Sequence, residues 1–131
     1  MTLGIILAAI ASMAVGAYWY SPKGFGQQWM KLTGLSKKDM KKMELSPSKA
    51  MLLGFLGALI TAFVLDAIIQ MTGVIALSDY LRLALLVFVG FMMPLTLDPY
   101  LWEGKKAKLF YINGSYWLVS MIAQSLVLFY L

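Results

Sequence analysis

Neither cysteine nor histidine occurs in this chain of 131 residues. Without cysteine, disulfides, thiol catalysis and thiolate metal sites are excluded. Without histidine, the usual general base, the usual pH switch and the usual transition-metal ligand are missing. Charge is also scarce, at 13% of residues, where a soluble domain carries about a quarter. Any acid–base or ion chemistry falls to six carboxylates, ten lysines, one arginine, hydroxyls, amides and backbone carbonyls. The chain has no Walker-type loop and no low-complexity tract. No metal or cofactor is expected, and the protein is not expected to be an enzyme.

What the chain has is apolar length: 61% of its residues are hydrophobic. That leaves room for one domain of about four spans at ~20 residues each. The expected fold is all-α, a polytopic membrane protein with four transmembrane helices over about 3–20, 48–71, 79–97 and 109–131. A short amphipathic cytoplasmic segment falls between the first and second spans. Gly4, Ala8, Ser12 and Gly16 recur every fourth residue, a small-residue ridge that lets membrane helices approach closely. Gly54, Ala58 and Ala62 repeat the spacing in the second span and lead to Asp66 and Gln70.

Local signals set the ends of these segments. Ser21-Pro22 stops the first helix. Gly34 ends a short interfacial helix, and Ser36 with Asp39 has capping-box spacing. Ser46-Pro47 opens the second span as N-cap and first helical residue, and Thr72-Gly73 closes it. Ser78 is placed to cap the third, where Pro94 predicts a kink near Gly90 to Pro94, and Asp98-Pro99 is expected to close it. In the fourth span, Asn113, Trp117, Ser120 and Gln124 lie on one face and are expected to point at other helices.

Charge gives the orientation. Seven lysines (23, 31, 37, 38, 41, 42 and 49) fall in the first connection and three (105, 106 and 108) in the third. With an even number of crossings between them, those two connections share a side, which the positive-inside rule makes cytoplasmic. Both termini are then outside, and the expected location is the cell membrane. The net charge of +5 is read as contact with anionic lipid headgroups rather than with nucleic acid.

Gly16, Trp19-Tyr20-Ser21-Pro22, Phe25-Gly26, Trp29 and Gly34 form one cluster of signature residues. Glu103 with the lysines after it, Leu109-Phe110, Ile112-Asn113 and Tyr116 form a second. In this order, the two clusters resemble the small integral-membrane family known as domain of unknown function 1761. The resemblance touches most of the chain and implies a four-helix membrane fold. It implies no activity.

Two groups of residues are candidates for function. The first is an ion or solute path through Asp66, Arg82, Gln124, Ser120, Thr61 and the freed carbonyl of Gly90, since an ionisable group inside a span is costly to insert. The structural alternative is an Asp66–Arg82 pair that locks the outer hairpin. The second group lies at the cytoplasmic interface: Trp19, Tyr20, Ser21, Pro22, Phe25, Trp29, Tyr100 and Trp102, with Asp98, Glu103 and Asn113. Its aromatic rings suit an interfacial belt or, more sharply, a pocket for a lipid headgroup or amphiphile. Asp98 and Glu103 are expected to pair with nearby lysines, and Asn113 to bond the end of the first span. The leading functional reading is a permeation protein that works as a homo-oligomer, because four short spans barely enclose a path. The alternative is a non-catalytic membrane component that binds lipid or a protein through its basic loop.

Overall fold

A computed structural model describes residues 2–131. Helix α1 runs Thr2–Trp19, α2 Gly26–Thr33, α3 Lys37–Lys41, α4 Pro47–Thr72 and α5 Leu77–Val87. A π-helical turn, Phe88–Met92, carries α5 into α6 (Met93–Thr96) and α7 (Asp98–Trp102), and α8 is Ala107–Tyr130. No strand occurs among the described residues. Thr2–Trp19, Pro47–Thr72, the continuous run Leu77–Trp102, and Ala107–Tyr130 are long and apolar enough to cross a membrane. Four such helices are the mark of a multi-pass membrane protein.

Most helix ends fall where side-chain chemistry directs. Ser46 Oγ accepts from the Lys49 N–H at 3.3 Å, and Pro47 opens α4. Gly73, at φ 69°, closes it. Gly34, at φ 74°, closes α2. The Ser36 N–H donates to the Asp39 carboxylate at 2.9 Å, and the Asp39 N–H returns a bond to Ser36 Oγ. The Ser36 N–H, and to a lesser extent the Ser36 hydroxyl, which also donates to the carboxylate at 2.9 Å, hold the Asp39 carboxyl below its usual range. Two ends differ from expectation. Ala76, not Ser78, is the N-cap of α5. The third span does not close at Asp98-Pro99 either, because Pro99 sits in the first turn of α7, where its missing N–H costs nothing.

The kink near Pro94 takes a specific form. Proline has no N–H to give the Gly90 carbonyl, and its ring crowds that turn. The helix widens just upstream, so that the Met93 N–H reaches back five residues to the Phe88 carbonyl. Gly90 lies in this widened turn, exposed and with open space where a side chain would be.

Helix α8 is the central post: α1 packs along it on one side and the third span on another, while α4 packs mainly on α1. The α1–α8 pairing is antiparallel. Gly4 lies against Leu128 and Leu131, Ser12 Oγ is hydrogen-bonded to Ser120 Oγ, and Gly16 lies against Tyr116. The small-residue ridge of α1 is thus the seam with α8, in steps of four residues on both helices. Tyr116 rather than Trp117 faces α1, and Trp117 is turned partly outward. Leu65, Ile69, Ala84, Phe88 and Met121 form a core where α4, α5 and α8 meet near the α4–α5 turn. Away from that turn α4 loses its neighbours: Met51, Leu52 and Leu53 are each more than half exposed.

The turn after α1 is held by backbone bonds. The Phe25 N–H donates to the Trp19 carbonyl at 2.6 Å, and the Gly24 and Gly26 N–H groups both donate to the Ser21 carbonyl. A Cβ on Gly24 would collide with the Tyr18 and Trp19 carbonyls, and one on Gly26 with the Tyr20 and Ser21 carbonyls. Backbone cannot swing aside as a flexible side chain can. Gly26→Ala is therefore expected to lower stability by about 1–3 kcal/mol. Gly54→Ala, into open space within a helix, is expected to be neutral or stabilising by up to ~1 kcal/mol. Thermal unfolding of the two variants in detergent checks the contrast, and equal melting temperatures would refute it.

Candidate functional site at the lysine-rich end

Where α1 ends and α8 begins, the two signature clusters meet. Trp19 Nε1 donates to the Ile112 carbonyl at 3.0 Å, and the Tyr20 hydroxyl donates to Asn113 Oδ1 at 2.7 Å. Tyr20 also stands edge-on to Tyr116 and to Trp29, with ring centroids 5.4 and 6.0 Å apart, and Trp19 packs on Phe25 at 5.2 Å. Each buried polar edge is thus matched by an acceptor on α8, which a low-dielectric setting rewards. Asn113 bonds the end of the first span as expected, through the side chain of Tyr20. The six rings expected at this boundary divide: four pack in two pairs, Trp19 with Phe25 and Tyr20 with Trp29, while Tyr100 and Trp102 are 48% and 81% exposed.

Beside this aromatic node, α2 and α3 enclose a cavity of about 460 Å³. Tyr20, Pro22, Gly26, Gln27, Trp29 and Met30 line it from the α1 turn and α2, and Lys37 and Met40 from α3. Its walls are mostly apolar, and Tyr20, Gln27 and Lys37 are the lining residues that carry polar side-chain groups. Ligand pockets commonly have this size and this balance of apolar wall to few polar groups. Of the residues expected at the interface, Tyr20, Pro22 and Trp29 belong to the cavity, and Ser21 is spent on the Tyr18 carbonyl at 2.6 Å.

Asp98 and Glu103 do not join these residues. Among the described residues neither makes an ion pair, so the expected pairing with lysines is not found. No group of three or more carboxylates that could hold a metal occurs among the described residues.

The intramembrane polar residues are dispersed rather than aligned. Arg82 pairs with Asp79, three residues back on its own helix, at 3.2 Å, and its side chain is 72% exposed. The expected Asp66–Arg82 clasp is absent: a neighbour at i−3 is reached at no cost in register, whereas Asp66 lies on another helix. Asp66 is half-buried. Thr61 Oγ1 bonds its own helix at Gly57, and Ser120 is taken up by Ser12. Gln124, 1% exposed, donates from Nε2 to the Ala58 carbonyl at 3.2 Å and ties α8 to α4. Its Oε1 meets no donor among the described residues. Gly90 faces out of the bundle.

Two features of this end escaped sequence reasoning. Gly24 was not singled out and Gly26 stood only among the signature residues, because their role as close-approach points depends on where the chain folds back. Met40 looked like an apolar edge of a surface helix. Its basic neighbours hid its partnership with Trp29 and Met30.

The fold and this end describe a small four-helix membrane protein. The family described as "Protein of unknown function (DUF1761)" matches residues 3–129, and the chain belongs to that family. No curated protein and no solved structure matches the chain.

The Tyr20–Asn113 bond ties the end of α1 to α8, so its loss has a measurable coupling. Tyr20→Phe and Asn113→Ala are each expected to cost about 1 kcal/mol, and together less than their sum. A double-mutant cycle on unfolding in mixed micelles measures this. Strictly additive losses would show that the two side chains act independently.

Proposed function

We propose that this protein is a non-catalytic membrane component that binds an anionic amphiphile at its lysine-rich end. The observation that carries the proposal is the cavity of about 460 Å³ between the α1 turn, α2 and α3. Its apolar walls suit an acyl chain, and Lys37 suits a negative headgroup. Lys31, Lys37, Lys38, Lys41 and Lys42 keep this arm basic, which draws it toward an anionic leaflet. The permeation reading has less support. Thr61, Ser120 and Gln124 bond within the bundle, and Arg82 is splayed outward, so a path through one chain lacks its polar lining. A route shared between several copies would have to be built by assembly.

A brominated long-chain fatty acid tests the cavity, because bromine quenches a tryptophan it touches. Saturable quenching is expected for the wild type, and Trp29→Phe should remove most of it. Lys37→Glu replaces attraction by repulsion. At about 1 kcal/mol per charge near an anionic surface, this change of two charges should weaken binding roughly thirtyfold, and a brominated neutral alcohol should be unaffected. Quenching that rises linearly with lipid content, equal in all three proteins, would eliminate the site. Proton or ion flux in proteoliposomes that disappears in Asp66→Asn would favour permeation instead.

The orientation belongs to the same proposal: the lysine-rich end in the cytoplasm and both termini outside, in the cell membrane. A reporter fused after Leu131 that is active only outside the cell is expected to be active. One that is active only in the cytoplasm should be silent there and active when inserted after Gly34. The reverse pattern would place the amphiphile site on the outer leaflet.

A further inference from the structure

A second concavity lies on the other side of α2. Lys31 and Leu32 from the last turns of α2, with Gly104, Lys105, Lys106 and Lys108 from the third connection, surround a cleft of about 510 Å³. Four lysines from two connections, more than seventy residues apart in sequence, converge there. No carboxylate lines it, and among the described residues none of the four lysines is ion-paired. Like charges so gathered repel one another, and a polyvalent anion relieves that repulsion. Lysines that served orientation alone would gain from spreading apart.

The level of the cleft indicates the kind of anion. The third span runs to Trp102 and the fourth starts at Ala107. Gly104, Lys105 and Lys106 therefore sit where the chain leaves and re-enters the apolar layer, the depth of lipid phosphates. Trp102 beside them is 81% exposed, as an interfacial anchor would be. Gly104, at φ 71°, makes the turn that brings the following lysines round. We infer that this cleft is a binding site for the headgroup of a membrane lipid that carries at least two phosphate groups. One phosphodiester would satisfy a single lysine, whereas four lysines around one cleft match a headgroup of several negative charges. This inference does not depend on the amphiphile cavity, which opens on the other side of α2 and takes Lys37 instead.

The test uses full-length protein in micelles, titrated with a lipid bearing two phosphates and read by native mass spectrometry and thermal shift. Parallel titrations use a lipid with one phosphodiester and soluble inorganic pyrophosphate. The wild type is expected to retain one two-phosphate lipid at least tenfold more tightly than the one-phosphate lipid. The set Lys31→Gln, Lys105→Gln, Lys106→Gln and Lys108→Gln should abolish that preference. The matched set Lys23→Gln, Lys38→Gln, Lys41→Gln and Lys42→Gln, which removes equal charge from residues that line neither the cleft nor the cavity, should change it less than twofold. Circular dichroism melts confirm that both sets fold, and single substitutions replace any set that does not. An equal loss in both sets would reduce the cleft to general surface charge and overturn the inference. Binding of pyrophosphate as tight as that of the lipid would overturn the lipid source. No preference between the two lipids would also refute it.

Discussion

The antiparallel seam between α1 and α8 is the interaction on which the rest depends. In a bilayer, apolar side chains gain little by leaving lipid for one another, so helices associate through close packing and interhelical hydrogen bonds. The seam supplies both. Gly4, Ala8, Ser12 and Gly16 give α1 a nearly flat face, and Ser12 bonds Ser120 in the middle of it. At the lysine-rich end the seam finishes in stronger attachments, Trp19 to Ile112 and Tyr20 to Asn113. A larger residue at Gly16 would place its Cβ 3.2 Å from the Tyr116 ring and begin to wedge the seam open where the turn after α1 is anchored.

With α8 at the centre, the second and third spans meet only near the turn that joins them. Span two reaches α8 through Gln124 and through the small core at Leu65, Ile69 and Met121. Beyond that core α4 packs mainly on α1, and its first turns are exposed. This arrangement uses most interior polar groups for joining helices. Gln124 is the exception in part, since one end of its amide bonds α4 and the other is buried without a donor among the described residues. A buried acceptor left so costs about 1–3 kcal/mol, which is tolerable where the same side chain links two helices.

Much of this fold was legible because local chemistry dictates it. Span positions follow from apolar length, and the ends at Gly34, Ser36, Ser46 and Gly73 from caps that involve residues three or four apart. The choice of partners was not legible. Asp66 and Arg82 lie at similar depths, but depth gives no facing, and Asp79 was already within reach of Arg82. Pro94 announced a disturbance but not whether the helix would bend or widen into a π turn. The aromatic residues share one boundary in sequence, yet Trp29 packs inward while Trp102 points out, a difference set by tertiary position alone. The convergence of Lys31 with Lys105 to Lys108 has no periodic signal at all.

The signature residues prove to be builders of the lysine-rich end. Gly26 permits the tight turn, Trp19 and Tyr20 fasten it to α8, and Asn113 and Tyr116 receive Tyr20. A ligand in the cavity would meet this aromatic platform itself at Tyr20 and Trp29, together with Met30, Lys37 and Met40, whereas one in the cleft would meet Lys31 on the other side of α2. The platform fixes where α2 stands, and α2 separates an apolar cavity from a basic cleft. Changing Met40 or Lys31 would thus alter what is bound without disturbing the helices, whereas changing Gly26 or Tyr20 would move both sites at once.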